Sequence, residues 1–239
     1  MNMLELFGVI LGDGNVSHYP SKGVYFLLIT GNADDEQDYF EEIKKFIENK
    51  TGRYVGLRTR HEVNGKSLRL QVSNKVFVEY LMHEFELQSP KTFTARIPQK
   101  YLPWEFSRHI IRGIFESDGS LFFSRMHPDK LPIYPRLEIK TSSLQLRDQL
   151  MLVLDAQRFN VHRTQSRTDR TYRVYVSGYA MLERWVKEIG LSSQKNMTKY
   201  LFWKKHGYYV PRISLRERQK LLQKTATRAE AGVYSIVIG

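Results

Sequence analysis

Two hydrophobic spacings alternate along the chain. Leu6-Phe7-Gly8-Val9-Ile10-Leu11 is an apolar run that ends at Asp13-Gly14, and Ile111-Arg112-Gly113-Ile114-Phe115 runs on to Asp118-Gly119. Each predicts a short helix closing at an Asp-Gly pair. Period-two segments follow. Leu68, Leu70 and Val72 alternate with Arg69, Gln71 and Ser73. Leu137 and Ile139 alternate with Arg136, Glu138 and Lys140, and Val174 and Val176 with Arg173, Tyr175 and Ser177. That spacing predicts half-buried strands. Over 34–49, Tyr39, Ile43, Phe46 and Ile47 stand at helical spacing, with Asp34, Asp35 and Glu36 in the first turn, where the helix dipole favours acid. Further helices are predicted over 74–86, 143–159 and 178–189.

The order of these elements occurs twice. Leu68 to Ser73 matches Tyr172 to Ser177 at an offset of 104, Lys91 matches Lys195 at the same offset, and Asp13 and Asp118 are 105 apart. Each copy reads αββαββα, its second strand covering 24–30 or 135–141. Hairpin-linked strands followed by helices predict an α+β fold with antiparallel sheets. The expected organisation is a first repeat over 1–95, a linker over 96–104 and a second repeat over 105–239. The last includes an unmatched basic tail after Lys195, with a helix predicted over 214–229.

Small residues sharpen this picture. Gly8 and Gly12 are four apart, as are Gly113 and Ser117, so each pair lies on one helix face. Glycine inside a helix costs up to ~1 kcal/mol relative to alanine, and close approach of a second helix is a reason to accept that cost. The two Asp-Gly helices are therefore expected to pack together, with Gly14 and Gly119 as left-handed terminators. Both carboxylates then meet at helix C-termini, where the dipoles oppose negative charge. A divalent cation offsets that, and oxygen ligands suit Mg²⁺. A single Asp-Gly needs no such role, since it makes a turn. Its repetition at matched positions is what points to a site.

Composition narrows the function. The chain has 239 residues, 41% of them apolar, enough for a core. No apolar run approaches the roughly 20 residues that span a bilayer, and Met1 to Glu5 carries no basic region ahead of an apolar core. The expectation is an intracellular protein, cytoplasmic in a prokaryote or organellar, with no membrane partner. The absence of cysteine excludes disulfides and cysteine-zinc sites. Lys plus Arg number 37 against 25 Asp plus Glu, a net charge of +12, which points to a polyanionic partner. A basic structural RNA-binding protein also fits the charge alone.

The nine residues from Leu6 to Gly14 and from Ile111 to Gly119 resemble the motif of the LAGLIDADG homing endonucleases. The match covers the small third and seventh positions, the apolar fourth and fifth, and the final Asp-Gly. Phe7 and Arg112 depart from it in place of alanine, Leu11 in place of the first acidic residue, and Ile111 in place of leucine. The resemblance spans about Leu4 to Lys195. It implies a monomeric, single-chain, pseudo-twofold enzyme whose two sheets form a saddle over double-stranded DNA and which cuts one phosphodiester on each strand, leaving short staggered ends, as in intron homing. By the same resemblance Asp13 and Asp118 hold Mg²⁺, for which Mn²⁺ or Ca²⁺ can substitute, with the carbonyls of Gly12 and Ser117 nearby, and Lys91 and Lys195 attend the reaction. A polar residue after the second strand often positions water. Those places fall near Gly31 or Asn32 and near Thr141 or Ser142, and the first repeat lacks the expected glutamine. The rival reading is a non-cleaving protein of the same fold, a transcription regulator or an RNA maturase with RNA as partner.

The polar strand faces supply candidates for reading DNA. Arg58 and Arg60 share a face, as do Arg163, Gln165 and Arg167. With Arg69, Gln71, Arg136, Glu138, Lys140 and Arg173 they offer arginine for guanine, glutamine for adenine and glutamate for cytosine. Polar alternation also marks any solvated sheet; the excess of arginine favours DNA.

Overall fold

The structure is a computed structural model, and the residues described are 1–223 apart from 64, 90 and 167. The first repeat comprises α1 (Met3–Leu11), β1 (Gly14–Tyr19), β2 (Val24–Asn32), α2 (Gln37–Thr51), β3 (Gly56–Glu62), β4 (Gly65–Val72) and α3 (Lys75–Glu84). The second comprises α4 (Trp104–Asp118), β5 (Gly119–Ser124), β6 (Tyr134–Thr141), α5 (Leu144–Ala156), β7 (Val161–Gln165), β8 (Tyr172–Ser177) and α6 (Tyr179–Glu188). The duplicated αββαββα order is therefore the observed one. Side-chain caps fix several helix starts: Asn74 Oδ1 accepts from Phe77 N at 3.0 Å, and Ser143 Oγ from Leu146 N at 3.2 Å.

Both sheets are open, antiparallel and four-stranded, in the orders β1-β2-β4-β3 and β5-β6-β8-β7. Period-two alternation sends Leu27, Ile29, Leu68, Leu70 and Val72 inward in one, and Leu121, Leu137, Ile139, Val174 and Val176 inward in the other. Among the described residues, helices cover only that inner face.

α1 and α4 pack against each other at the centre. A Cβ on Gly8 would stand 2.1 Å from Ile110 O, and one on Gly113 would stand 2.0 Å from Glu5 O. Backbone touches backbone there, which explains the helical glycines. One ion pair crosses this contact: Arg112 Nη2 lies 2.8 Å from Glu5 Oε2. Tyr39 OH donates to the same buried carboxylate at 3.2 Å, and Arg112 Nη1 donates to Ile189 O at 3.1 Å. Burying Glu5 without these partners would cost several kcal/mol, so the network ties α1, α2, α4 and the end of α6 into one arrangement.

Two expectations are corrected. Gly14 and Gly119 are not left-handed terminators. Each opens a strand, Gly119 being extended at φ −98°, ψ 164°. Glycine is needed because the strand leaves the helix so tightly: a Cβ would stand 2.6 Å from Ile10 Cα at Gly14 and 2.3 Å from Phe115 O at Gly119. The segment after Lys195 is not merely a basic tail. It forms α7 (Gln194–His206), which buries Phe202 and Trp203, and Trp203 Nε1 donates to Ile133 O at 2.9 Å. A further helix runs from 215 to 223, anchored by buried Arg218, which donates to Thr198 Oγ1 and Ile213 O. The rest of the helix predicted over 214–229 lies outside the described residues. Among the described residues, no helix is long and apolar enough to cross a membrane.

Candidate active site

Asp118 is the last residue of α4, and Asp13 lies two residues beyond α1. The helix contact brings them together. Gly12 sits against Ser117, where a Cβ would meet Oγ at 2.1 Å, and Asp118 Oδ2 would be only 3.3 Å from that same Cβ. The carboxylate of one repeat thus reaches the helix end of the other. Burial, then the charge of Asp118, then that of Glu36 push the Asp13 carboxyl up to about 7, against the opposing pull of Lys195 and Lys91. Burial raises Asp118 as well.

The two lysines are placed differently. Lys91 Nζ donates to the carbonyls of Leu11 at 2.8 Å and Gly12 at 2.6 Å, and burial lowers its pKa. Lys195 Nζ contacts Glu36 Oε1 at 2.5 Å and Glu116 O at 3.3 Å. Each aspartate feels most strongly the lysine of the other repeat: Lys195 leads among the cations acting on Asp13, and Lys91 among those acting on Asp118.

Glu36 was missed by sequence reasoning. It reads as one of three acids in a helix start, but it precedes α2 and turns back into the site. Its Oε2 accepts from Asn32 N at 2.6 Å. Gly31 makes room, since a Cβ there would stand 2.6 Å from Glu36 Oε2. So the polar group at the end of β2 comes from four residues beyond Asn32. At the matching end of β6, Thr141 Oγ1 accepts from Ser143 N at 3.1 Å. Glu116, buried and raised in pKa by that burial, accepts from Ser192 N at 2.7 Å, Asn196 Nδ2 at 2.8 Å and Ser193 Oγ. It thereby fixes the start of α7, which carries Lys195. The first repeat has Leu11, which has no carboxylate, at that position.

Among the described residues, no three His, Cys, Asp or Glu side chains gather as a metal site. The donors present are two crowded aspartates and helix-end carbonyls. Burial first, and then the neighbouring Asp118 and Glu36, disfavour the charged form of Asp13, and an all-oxygen set of this kind fits a hard divalent cation. Of the expected flanking carbonyls, that of Gly12 already accepts from Lys91. Ser117 turns its hydroxyl back to Gly113 O and Ile114 O, at 3.0 and 3.1 Å.

The outer faces carry most of the other candidates. In the first sheet Arg58 pairs in register with Arg69, Arg60 with Ser67, and Gly56 with Gln71, so Arg58, Arg60, Arg69 and Gln71 share that face. The side chains of Arg58, Arg60 and Arg69 make no ion pair or hydrogen bond with the described residues. In the second sheet Arg136, Glu138, Lys140 and Arg173 are also on the outer face, and their charges are already engaged. Arg136 lies 3.5 Å from the centre of the Tyr175 ring and 3.0 Å from Glu138 Oε2. Arg173 approaches Glu138 Oε1 at 3.8 Å, and Lys140 pairs with Asp169 at 2.7 Å. Arg163 and Gln165 are not on this face. They register with Val174 and Tyr172, whereas His162 and Thr164 register with Tyr175 and Arg173. Arg163 points to the helix side, 3.6 Å from Asp148. The edge strand β7 is exposed on both sides over most of its length, so no burial pattern revealed its facing, and a one-residue shift reverses every side chain. Arg167 lies outside the described residues.

Two αββαββα units, packed through glycine-lined helices with an aspartate at or just beyond each helix end, form the LAGLIDADG fold. The chain is similar to the homing endonuclease I-WcaI bound to its DNA recognition sequence, with 16% identity, a TM-score of 0.56 and coverage of 79% of this chain and 80% of that one. It is similar to I-DmoI in complex with DNA and Mn, at 16% identity and a TM-score of 0.54 over 79% and 96%. It is also similar to the N-terminal LAGLIDADG domain of DUF199/WhiA, at 14% identity and 0.52 over 79% and 82%. By sequence the chain matches no family model and no curated protein.

Proposed function

We propose that the protein is a site-specific DNA endonuclease of the LAGLIDADG type, cutting one phosphodiester on each strand of a double-stranded target. The observation that carries this is the convergence of Asp13 and Asp118 from matched positions, with Asp13 held near pKa 7 by burial and its neighbours. Similarity to I-WcaI and I-DmoI, solved with DNA, supports it. Both carboxylates come from one chain, so a monomer suffices.

DNA lies across the two outer faces, and the scissile phosphates approach the ends of α1 and α4. Asp13 and Asp118 would hold divalent ions such as Mg²⁺. When bound, such ions supply a water made nucleophilic near neutral pH and positive charge for the leaving oxygen. Lys91 and Lys195 place ammonium groups beside the phosphates. At one site Glu36 Oε1, fixed by Lys195 Nζ, orients the attacking water and accepts its proton. The buried helix contact keeps the two aspartates in register with the two strands.

The test is to incubate the purified protein and Mg²⁺ with a plasmid library and sequence the ends. Cutting at one long site is expected, and Asp13→Asn and Asp118→Asn should each abolish double-strand cleavage. Double-strand cutting retained by either variant would sink the paired-carboxylate reading. A second reading rests on Lys91, whose ammonium occupies the Gly12 carbonyl at 2.6 Å. If the lysine stays there, the fold binds nucleic acid without cutting it, as a regulator or a maturase. Tight binding to one sequence with no cut ends is its signature.

A further inference from the structure

The first repeat carries a groove that the proposed cleavage does not use. It encloses about 1040 Å³ between the end of α2 and the start of α3, and its polar side is formed by Lys50, Arg53, Tyr54, Ser73, Asn74 and Lys75, beside the apolar Met3, Val76 and Phe77. A smaller hollow of about 390 Å³ shares Tyr54 and Ser73 with it and continues to Gly56, Arg58 and Gln71 on the outer sheet face. Among the described residues, three cations line the groove and no carboxylate does. Glu79, 3.9 Å from Lys75, stands outside the lining, both side chains being well exposed. Tyr54 is 81% exposed, with Lys44 over its ring at 5.2 Å. Lysine, arginine, serine, asparagine and tyrosine are the residue types that bind phosphate and sugar oxygens.

We propose that this groove holds the sugar-phosphate backbone of duplex DNA where it runs off the outer face of the first sheet. The proposal rests on the reading of the outer faces as a DNA surface and extends the footprint on one side only. The second repeat carries no charge at the three matching positions, Arg158 being the cation at that helix end. Gly52 and Arg158, both left-handed just after α2 and α5, put the two helix ends in correspondence. Lys50 and Arg53 then match Ala156 and Phe159, and Lys75 matches Tyr179 at the offset of the strands. The complex is therefore off-centre, with more backbone held beyond the first repeat than beyond the second.

The experiment is a salt titration of duplex affinity in Ca²⁺ or EDTA, so that no cleavage is required. It compares the wild type with Lys50→Ala/Arg53→Ala/Lys75→Ala. Each lost phosphate contact lowers the slope of log affinity against log salt by about 0.9, so the triple variant should lose about 2.7 on a long duplex. On a duplex trimmed at the first-repeat end the two proteins should match. All three side chains are on the surface, and an unchanged melting temperature confirms the fold. Equal slopes on the long duplex, a loss that persists on the trimmed one, or a defect confined to single strands would each overturn the proposal. If the long-duplex effect is seen but nothing is cut, the nuclease reading fails and the groove stands. If duplex is cut while the slopes are equal, the groove alone fails.

Discussion

The two repeats share topology and most of their register, yet they hold charge in opposite ways. On the first outer face Arg58, Arg60 and Arg69 stand free of partners among the described residues. On the second, Arg136 is stacked on Tyr175 and bridged through Glu138 towards Arg173, and Lys140 is paired with Asp169. Free guanidiniums can settle on phosphates and release counterions, a strong and salt-sensitive contribution. Stacked and bridged ones are already oriented, so they lose less freedom on binding and gain less net charge compensation. A duplicated fold can thus divide the work, with the first repeat supplying grip and the second supplying orientation. The lysines repeat the contrast: Lys91 reaches main-chain carbonyls directly, while Lys195 is set in a web of Glu36, Glu116 and the capped start of α7.

The largest expected effect separates these lysines. Lys91→Met and Lys195→Met should each slow cutting of one strand by ~10²–10⁴, the range for a positioned proton-transfer or charge-stabilising group. Because Lys91 acts chiefly on Asp118 and Lys195 on Asp13, the two variants should accumulate nicked plasmid broken on opposite strands. Strand-specific end labelling reads this directly. Nicks on the same strand in both variants would show that the lysines do not divide between the two sites.

Next in size is a pH effect on metal-free stability. The carboxyl of Asp13 is raised from 3.8 to about 7, so its protonated form favours the fold. That contribution is fully present below the ordinary carboxylate range and is lost as pH rises through about 7. In EDTA the melting temperature of the wild type should therefore fall relative to Asp13→Asn between pH 4 and 7. Added Mg²⁺ should restore it increasingly above pH 7, where the proton no longer competes. Parallel melting curves for the two proteins across that range would remove burial and repulsion as the cause.

How far this contrast was legible in the sequence depended on what each residue faces. The aspartates were readable because helix period, small residues and duplication all speak of one buried contact, and Gly8 and Gly113 do touch opposing backbone. Inner strand positions were readable for the same reason: burial leaves a period. Glu36 was not, because its role comes from a turn that bends it back over Gly31, and local sequence shows only an acidic helix start. The facing of β7 was not, because an edge strand exposed on both sides leaves no period. Phe202 and Trp203 of α7 were passed over because they have no counterpart in the first repeat and sit beside Lys204 and Lys205. The pairing state of the outer arginines depends on cross-strand neighbours, which sequence order does not give.

The smallest effects test the division between the sheets. Arg136→Ala removes the cation stacked on Tyr175 and leaves Glu138 with only the distant Arg173. It should lose about 1–3 kcal/mol of discrimination at one base pair, seen as relaxed preference in a randomised target library, with little change in salt dependence. Arg58→Ala should do the reverse. Its free guanidinium has no neighbour to orient it, so it should lower the salt slope by about 0.9 and weaken all sequences nearly alike. If Arg58→Ala instead relaxes preference at one position while Arg136→Ala flattens the salt slope, the pairing seen on the second face does not survive on DNA. The contrast between the repeats would then belong to the free protein alone.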